Sequence, residues 1–329
     1  MRRLISCALL LLAAAQMAVA EVDAQDEPLD EAGYAARMLV LIDSLIQSQD
    51  PAQQAAGLLM SEHAVWAGWH TEESILSGTE FFDRLYALID TADTPLARAL
   101  LAQLCASNHI RSDCVRRGLD DAIVRHDGAE LLARLQITER DDTERARSII
   151  FAAQTLKERQ MDFALLLLDA MEDQGDFAAP EFASVPLVYG LTLMPHFTPF
   201  SDLCGLPSAE DPELNRACER TLDLMMKDRF SMLLNSLGSA VSARRLEAQG
   251  DSDAQERHEQ WRARFTGQMA CFAASNEGVW ETADAQFMRE FLEHWQKHGE
   301  ASAWSMIGEK AGLECESVDP PPFRSASVN

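Results

Sequence analysis

The sequence contains almost none of the patterns that predict β-strands. Runs of Val and Ile with alternating polarity are missing, whereas Ala, Leu, Arg, Glu and Gln are abundant. These are the residues that lose least free energy on entering a helix. We therefore predict an all-α protein built from antiparallel helical hairpins, arranged either as an irregular α-solenoid or as a multi-helix bundle.

Positive charge is also scarce. Only four lysines occur in 329 residues, and 28 basic residues face 53 acidic ones, which gives a formal net charge of −25 at pH 7. Binding to nucleic acid depends on clustered Lys and Arg, so this composition argues against a nucleic-acid partner. The excess of acid is typical of a surface that keeps a protein soluble, and a partner with a basic surface is the alternative interpretation.

The common catalytic motifs are missing as well. The chain has no G-x-S-x-G nucleophile elbow, no H-E-x-x-H zinc helix, no phosphate-binding G-x-x-x-x-G-K-[ST] loop and no G-x-G-x-x-G. The segment HEQWR at 258–262 begins like a zinc helix, but Arg262 replaces the second histidine. Scattered carboxylates can still form an acid–base site. The sequence nevertheless favours a non-catalytic protein, and it predicts no cofactor.

The first twenty residues have the three parts of a secretory signal peptide. Arg2 and Arg3 precede an apolar stretch over 4–15, and the tripeptide AVA at 18–20 matches a cleavage signal. The apolar stretch is shorter than the roughly 20 residues that span a bilayer. We expect cleavage after Ala20 and export to the periplasm or the medium, with no stable membrane insertion afterwards. Cleavage takes two of the 28 basic residues, so that 26 face 53 acidic ones and the net charge becomes −27.

Cleavage also removes Cys7 from the seven cysteines, which leaves an even number. Cysteines of an exported protein pair by default, although their spacing alone does not fix the pairing. The eight residues between the first two are too many for a C-x-x-C redox motif, and a metal site there would have only His109 nearby. We predict structural disulfides in sequential order, namely Cys105–Cys114, Cys204–Cys218 and Cys271–Cys315.

Turn and capping residues organise the rest of the chain. Asp50-Pro51, Thr94-Pro95 and Asp211-Pro212 each predict a helix start, and residues 94–176 are predicted to form two helical pairs. Residues 180–210, which are poor in charge and rich in proline, form either a broken buried helix or a loop-rich insert over an apolar groove. The predicted regions are a signal peptide at 1–20, a flexible acidic leader at 21–29, helical hairpins at 30–200, a second helical region in the same or another domain at 201–315, and a disordered tail at 316–329.

The segment SEHAVWAGWHTEE contains a candidate ligand site. His63 and His70 lie seven residues apart, with Trp66 and Trp69 between them. Tryptophans at this spacing usually pack in a core or in a hairpin interface. An aromatic pair flanked by polar groups also forms platforms that bind sugars, so a ligand site is the alternative interpretation. Gly68 weakens the helix here, and the two histidines then need not share one face.

The segment REFLEHWQKHGE contains a candidate metal site. Glu290, His294 and His298 are spaced at i, i+4 and i+8, so one helix face would present a carboxylate and two imidazoles, which are common ligands of zinc and iron. The other interpretation is structural. Lys297 and His298 would complement the helix dipole in the last turn before Gly299.

Exposed helical pairs most often serve as protein-interaction surfaces. We therefore predict an exported, non-catalytic interaction or scaffolding module with a protein partner, and we expect one face to present an apolar or acidic groove. The first alternative is a cell-envelope ligand-binding protein or enzyme that uses the Trp and His residues of the SEHAVWAGWHTEE segment. The second alternative is a metal-binding protein.

Overall fold

The computed structural model describes residues 31–66, 78–106, 110–138, 143–157, 159–191, 193, 195, 197–208, 210–275, 279–310, 312–315 and 318. Within these ranges the chain forms sixteen α-helices and a 3₁₀-helix at Trp280–Thr282. In chain order the α-helices are α1 Glu31–Gln47, α2 Pro51–Trp66, α3 Gly78–Thr91, α4 Pro95–Leu104, α5 Arg111–Arg116, α6 Leu119–His126, α7 Leu131–Gln136, α8 Thr143–Ala152, α9 Gln160–Gln174, α10 Ala179–Leu191, α11 Thr198–Cys204, α12 Pro212–Met226, α13 Met232–Gln249, α14 Ser252–Ser275, α15 Ala285–His298 and α16 Glu300–Lys310.

The described part of the chain contains no β-strand, which confirms the predicted all-α class. A single isolated bridge joins Glu130 to Thr155. None of the helices in these ranges is long and apolar enough to cross a membrane. The predicted signal peptide and acidic leader lie outside the described residues.

The predicted capping residues start three helices. The side chain of Asp50 accepts a hydrogen bond at 2.7 Å from an amide in the first turn of α2. Thr94 does the same for α4 at 3.2 Å, and Asp211 does so for α12 at 2.9 Å. In each case the following proline has no amide hydrogen that needs an acceptor. Gly175 ends α9 with φ of 78°, in the left-handed conformation that glycine adopts without strain.

Helix α9 lies at the centre of the packing. It contacts α10, its neighbour in the chain, and also α1 and α15, which are distant in sequence. Gln296 of α15 donates a hydrogen bond to Asp162 of α9 at 2.7 Å, and Arg289 pairs with Asp169 at 2.5 Å. A solenoid repeat contacts only its neighbours. These long-range contacts therefore favour the multi-helix bundle over the solenoid.

Apolar side chains form four buried clusters. The first joins α1 to α6 with α9 and α10, and the third joins α9 and α10 with α15 and α16. The second joins Leu131 and Ile149 to Phe200 and Leu214, so it contains residues from both sides of position 200. The fourth is small and joins the end of α12 and the start of α13 to α14, with side chains of α16 packed against it. The predicted division of the chain near residue 200 stays a prediction.

The three disulfides connect neighbouring segments, in the predicted sequential order. Each joins two helices or a helix and the segment that follows one. The Cα–Cα separations are 6.1 Å for Cys105–Cys114, 5.4 Å for Cys204–Cys218 and 5.7 Å for Cys271–Cys315. Such distances fit a disulfide without movement of the backbone. The predicted disulfide bonds are confirmed.

In two segments, residues 94–176 and 180–210, the structure adds detail that the sequence prediction did not contain. Residues 94–176, which were predicted to form two helical pairs, contain six helices where the structure describes them, because the three short helices α5 to α7 lie between α4 and α8. The described part of residues 180–210 contains two helices rather than one, because α10 continues through Pro186 to Leu191 and α11 begins at Thr198. Val185 and Phe200 are almost fully buried there. Of the predicted tail only Val318 is described, and it packs against the fourth cluster.

Candidate functional site

An open depression of about 350 Å³ lies on the solvent side of the hairpin formed by α15 and α16. The opposite side of α15 is apolar and buried, and the helical period therefore turns its polar positions outward. We call the depression the α15–α16 groove. Its lining side chains are Glu290, Glu293, His294, Lys297, His298 and Met306.

A single residue joins the two helices of this hairpin. α15 ends at His298 and α16 begins at Glu300, so Gly299 makes the whole connection with φ of 99° and ψ of 164°. A Cβ atom at this position would lie 2.3 Å from the carbonyl oxygen of Arg229, which no side chain tolerates. Glycine is therefore required here, and the sharp turn fixes how the two walls of the groove meet.

Two imidazole rings contact each other in the groove. The ring centroids of His294 and His298 are 4.5 Å apart. Nε2 of His294 forms a hydrogen bond of 2.9 Å with Oγ of Ser302, which lies on α16. Desolvation lowers the pKa of His294, and the positive charges of His298 and Lys297 lower it further. The contact between the rings is therefore favoured at neutral pH, where His294 carries no charge.

The two carboxylates of the groove are exposed and loosely paired. Oε1 of Glu290 accepts a hydrogen bond of 3.2 Å from Gln286, and Oε2 lies 4.0 Å from Nζ of Lys310. Oε1 of Glu293 lies 4.0 Å from a guanidinium nitrogen of Arg289. The side chains of Glu290 and Glu293 are 54% and 60% exposed, so both carboxylates can accept further hydrogen bonds from a partner.

The predicted metal site is not supported. Among the residues that the structure describes, no three His, Cys, Asp or Glu side chains converge as metal ligands. His294 uses Nε2 in the bond to Ser302, and the carboxylate of Glu290 faces Gln286 and Lys310. The helical spacing of Glu290, His294 and His298 places them along one side of α15 but does not bring their tips to a common point.

Most of the second predicted site lies outside the described residues. Trp69 and His70 lie outside the described residues. His63 and Trp66 belong to the last turn of α2, and their side chains are likewise outside the description. The ligand-binding interpretation of these four residues therefore stays a prediction.

An aromatic cluster lies on the buried side of α15, under the groove. The rings of Phe291 and Trp304 are 5.2 Å apart, and Phe291 and Trp280 are 5.4 Å apart, both edge to face. Such pairs stabilise by about 1 kcal/mol beyond the area that they bury. Trp280 lies in the 3₁₀-helix, which is too short for a periodic pattern to predict that this side chain packs against the core. The cluster gives the α15–α16 hairpin a rigid base.

A serine and a histidine also meet between α13 and α14, but in the interior. Nε2 of His258 lies 3.1 Å from Oγ of Ser239 and 3.1 Å from its carbonyl oxygen. The two residues are only 5% and 3% exposed, and burial lowers the pKa of His258. A substrate has no route to such a pair, so we interpret it as a buried hydrogen bond that joins two helices.

A narrow cleft between α4 and α7 has a structural role as well. Its free space of about 20 Å³ has room for about one water molecule. Glu130 on its wall accepts hydrogen bonds from the amides of Leu132, Ala133 and Lys157 at 3.1, 2.6 and 2.9 Å. Burial raises the pKa of Glu130, and these three amides oppose the rise. The carboxylate caps α7 and is saturated by the chain itself.

Comparison of the chain with protein-family models, curated proteins and solved structures found no match in any of the three. The α15–α16 groove combines exposed carboxylates, an imidazole pair and the apolar side chain of Met306 on a hairpin whose geometry is fixed by Gly299.

Proposed function

We propose that this protein is an exported, non-catalytic interaction module and that the α15–α16 groove is its docking site for a protein partner. The observation that carries the proposal is the groove itself. It presents polar and apolar side chains side by side on two helices that pack on an aromatic base. Rigid presentation of this kind lowers the entropy that a partner loses on binding.

The charge of the protein points to a partner with a basic surface. A net charge of −25 attracts cationic proteins over long distances and raises their association rate. In the groove, the exposed carboxylates of Glu290 and Glu293 can accept hydrogen bonds from Lys or Arg, while Met306 offers an apolar contact. Lys297 would favour an acidic or neutral group at one end of the bound segment.

Export belongs to the same proposal. The three disulfides suit an oxidising compartment, in agreement with the signal-peptide pattern of the sequence. Reducing conditions would break these bonds and weaken the helical pairs that they join.

A pull-down with charge variants tests the proposal. The oxidised full chain serves as bait in a cell-envelope extract, beside the double variant Glu290→Gln, Glu293→Gln. The control is Glu256→Gln, Glu259→Gln, which changes the same charge at two exposed positions of α14. We expect a stoichiometric partner that wild type and the α14 control retain and that the groove variant retains at least about tenfold less.

Equal capture by all three baits would contradict the groove as the docking site. Capture that 0.5 M salt abolishes for every bait would indicate only general attraction to an acidic protein. If no protein is retained, the interaction function itself is contradicted, and the predicted site at His63, Trp66, Trp69 and His70 becomes the next candidate.

A further inference from the structure

The loop between α12 and α13, residues 227–231, is clamped by the turn of the α15–α16 hairpin. Nε1 of Trp295 donates a hydrogen bond of 2.7 Å to the carbonyl of Phe230. The amide of Glu300 donates one of 2.9 Å to the carbonyl of Arg229. These bonds connect two helical hairpins that are about 65 residues apart in the chain.

The carboxylate of Glu300 completes this junction. It accepts a hydrogen bond from the amide of Met232, the first residue of α13, and another of 3.3 Å from Nε1 of Trp304. A carboxylate at a helix N-terminus is stabilised when it is ionised. At this position, however, it is also removed from water, and desolvation disfavours the charge.

A second carboxylate lies in the same junction. Oδ2 of Asp228 is buried and has no hydrogen-bond partner. The backbone amides of Phe230 and Ser231 interact with the carboxylate and lower its pKa, but less than burial raises it. The side chain of Asn235 holds the backbone by donating to the Asp228 carbonyl at 2.9 Å. A buried carboxylate oxygen without a partner is costly when the group is ionised and is tolerated when it is protonated.

Few charges compensate the two acids. Arg229 attracts the Asp228 carboxylate, but the side chain of Lys227 is turned to Asp223 at 2.7 Å. The residues of α13 and α15 that bond to the loop, Asn235 and Trp295, are uncharged. The negative charge of Asp228 therefore reaches Glu300 and disfavours its ionisation.

We propose that this junction is an acid-responsive latch, which holds the α15–α16 hairpin on the α12–α13 loop while at least one of the two carboxylates is protonated. Ionisation of both places two like charges in a desolvated space and loosens the clamp. The latch would set how firmly the α15–α16 hairpin is attached to the rest of the fold. It stands on contacts of the loop and is independent of whether the groove binds a partner.

The direction of the pH effect follows from the two raised pKa values. Burial raises the pKa of Asp228 to about 6 and that of Glu300 to about 7. Both groups have unfolded-state pKa values near 4. Their contribution to stability is therefore complete below about pH 4 and is lost as pH rises through 6 and 7.

Hydrogen exchange at the junction tests the latch. The amides of Met232 and Glu300 report it directly, because both bond across it. After correction for intrinsic exchange, we expect the opening equilibrium at these two amides to increase by about tenfold or more between pH 5 and pH 8. In the variant Asp228→Asn, which keeps the shape but cannot ionise, the opening at pH 8 should fall towards the pH 5 value.

The control is Asp202→Asn, which removes the same charge from an exposed position of α11 and should leave the wild-type pH profile unchanged. Glu300→Gln provides a second test if Asp228→Asn folds poorly, and it should flatten the same profile. The latch is contradicted if the two amides open equally at pH 5 and pH 8 in the wild type. It is also contradicted if both variants keep the wild-type pH dependence.

Discussion

Single residues decide how closely the segments of this protein approach one another. A Cβ atom on Gly57 of α2 would lie 2.7 Å from the backbone nitrogen of Ile46 in α1, so glycine allows this hairpin to pack backbone against backbone. Gly299 has the same role between the α15–α16 turn and Arg229, and its φ of 99° adds a second reason for glycine. Contacts of this kind are lost with a single methyl group.

Replacement of Gly299 by alanine should therefore destabilise the protein strongly. The new Cβ atom would meet the Arg229 carbonyl at 2.3 Å in a backbone conformation that only glycine adopts easily. We expect a loss of about 3 kcal/mol or more in the free energy of unfolding, measured by urea denaturation. Gly250→Ala is the matched control, because Gly250 has φ of 70° but nothing within 4 Å of its Cβ position. It should cost only about 1 kcal/mol, and equal losses would contradict the clash.

Buried charge is the part of the residue chemistry that the sequence did not predict. Arg98 occurs within the apolar stripe of α4 and is only 4% exposed, with Asp127 bound to its guanidinium at 2.6 Å. The partner lies 29 positions further along the chain. No local pattern links the two, and a carboxylate such as Asp228 is recognisable as unusual only after its surroundings have formed. Periodicity identifies faces of helices and does not identify contacts between them.

Individual helices were more predictable than the short connections between them. α4 and α12 begin at the predicted proline and cap pairs, since the capping bond is made within four residues. Helices α5 and α7 have six residues each, which is less than two turns, so a hydrophobic period cannot repeat in them. The periodicity of α15 predicted only part of the groove. Met306 and Ser302 come from α16, and a pattern within one helix does not show which residues of another helix lie beside it.

We expect the packing of helix α14 to depend on its disulfide more strongly than the packing of the other disulfide-bonded helices does. It contributes Trp261, Phe265 and Phe272 to the smallest of the four clusters, and its remaining surface is mostly exposed. We expect Cys271→Ala, Cys315→Ala to lower the free energy of unfolding by about 4 kcal/mol, because that disulfide closes a segment of 44 residues.

The control for this prediction is the pair Cys105→Ala, Cys114→Ala, which opens a segment of 9 residues and should cost about 2.5 kcal/mol. Urea denaturation monitored by tryptophan fluorescence measures both losses. A smaller effect for Cys271 and Cys315 than for Cys105 and Cys114 would contradict the dependence of α14 on its bridge.

Across the whole molecule, negative charges outnumber positive charges and repel one another. Its net charge of −25 is spread over a surface with few lysines, so the folded state repels itself at neutral pH. Several ion pairs are partly buried, among them the pair of Arg111 with Asp120 at 2.8 Å, and salt screens such pairs weakly. Of the electrostatic contributions to stability, the repulsion between exposed carboxylates is therefore the one that salt should change most.

Added salt should consequently raise the melting temperature at pH 7.5. We expect an increase of about 3 °C between 20 and 500 mM NaCl, measured by calorimetry on the oxidised protein. The same series at pH 4.6, close to the isoelectric point of about 4.6, is the control and should show little change. A fall in melting temperature with salt at pH 7.5 would mean that attractive ion pairs outweigh the repulsion.

The order of the disulfides has a consequence for biogenesis. Each bridge joins two cysteines that follow one another in the sequence, at separations of 9, 14 and 44 residues. If the protein is exported through a translocon with its N-terminus first, as proposed, each bridge can close as soon as its second cysteine emerges. Oxidation in the order of emergence would then give the native connectivity, and we expect folding to need a thiol oxidase but no disulfide isomerase.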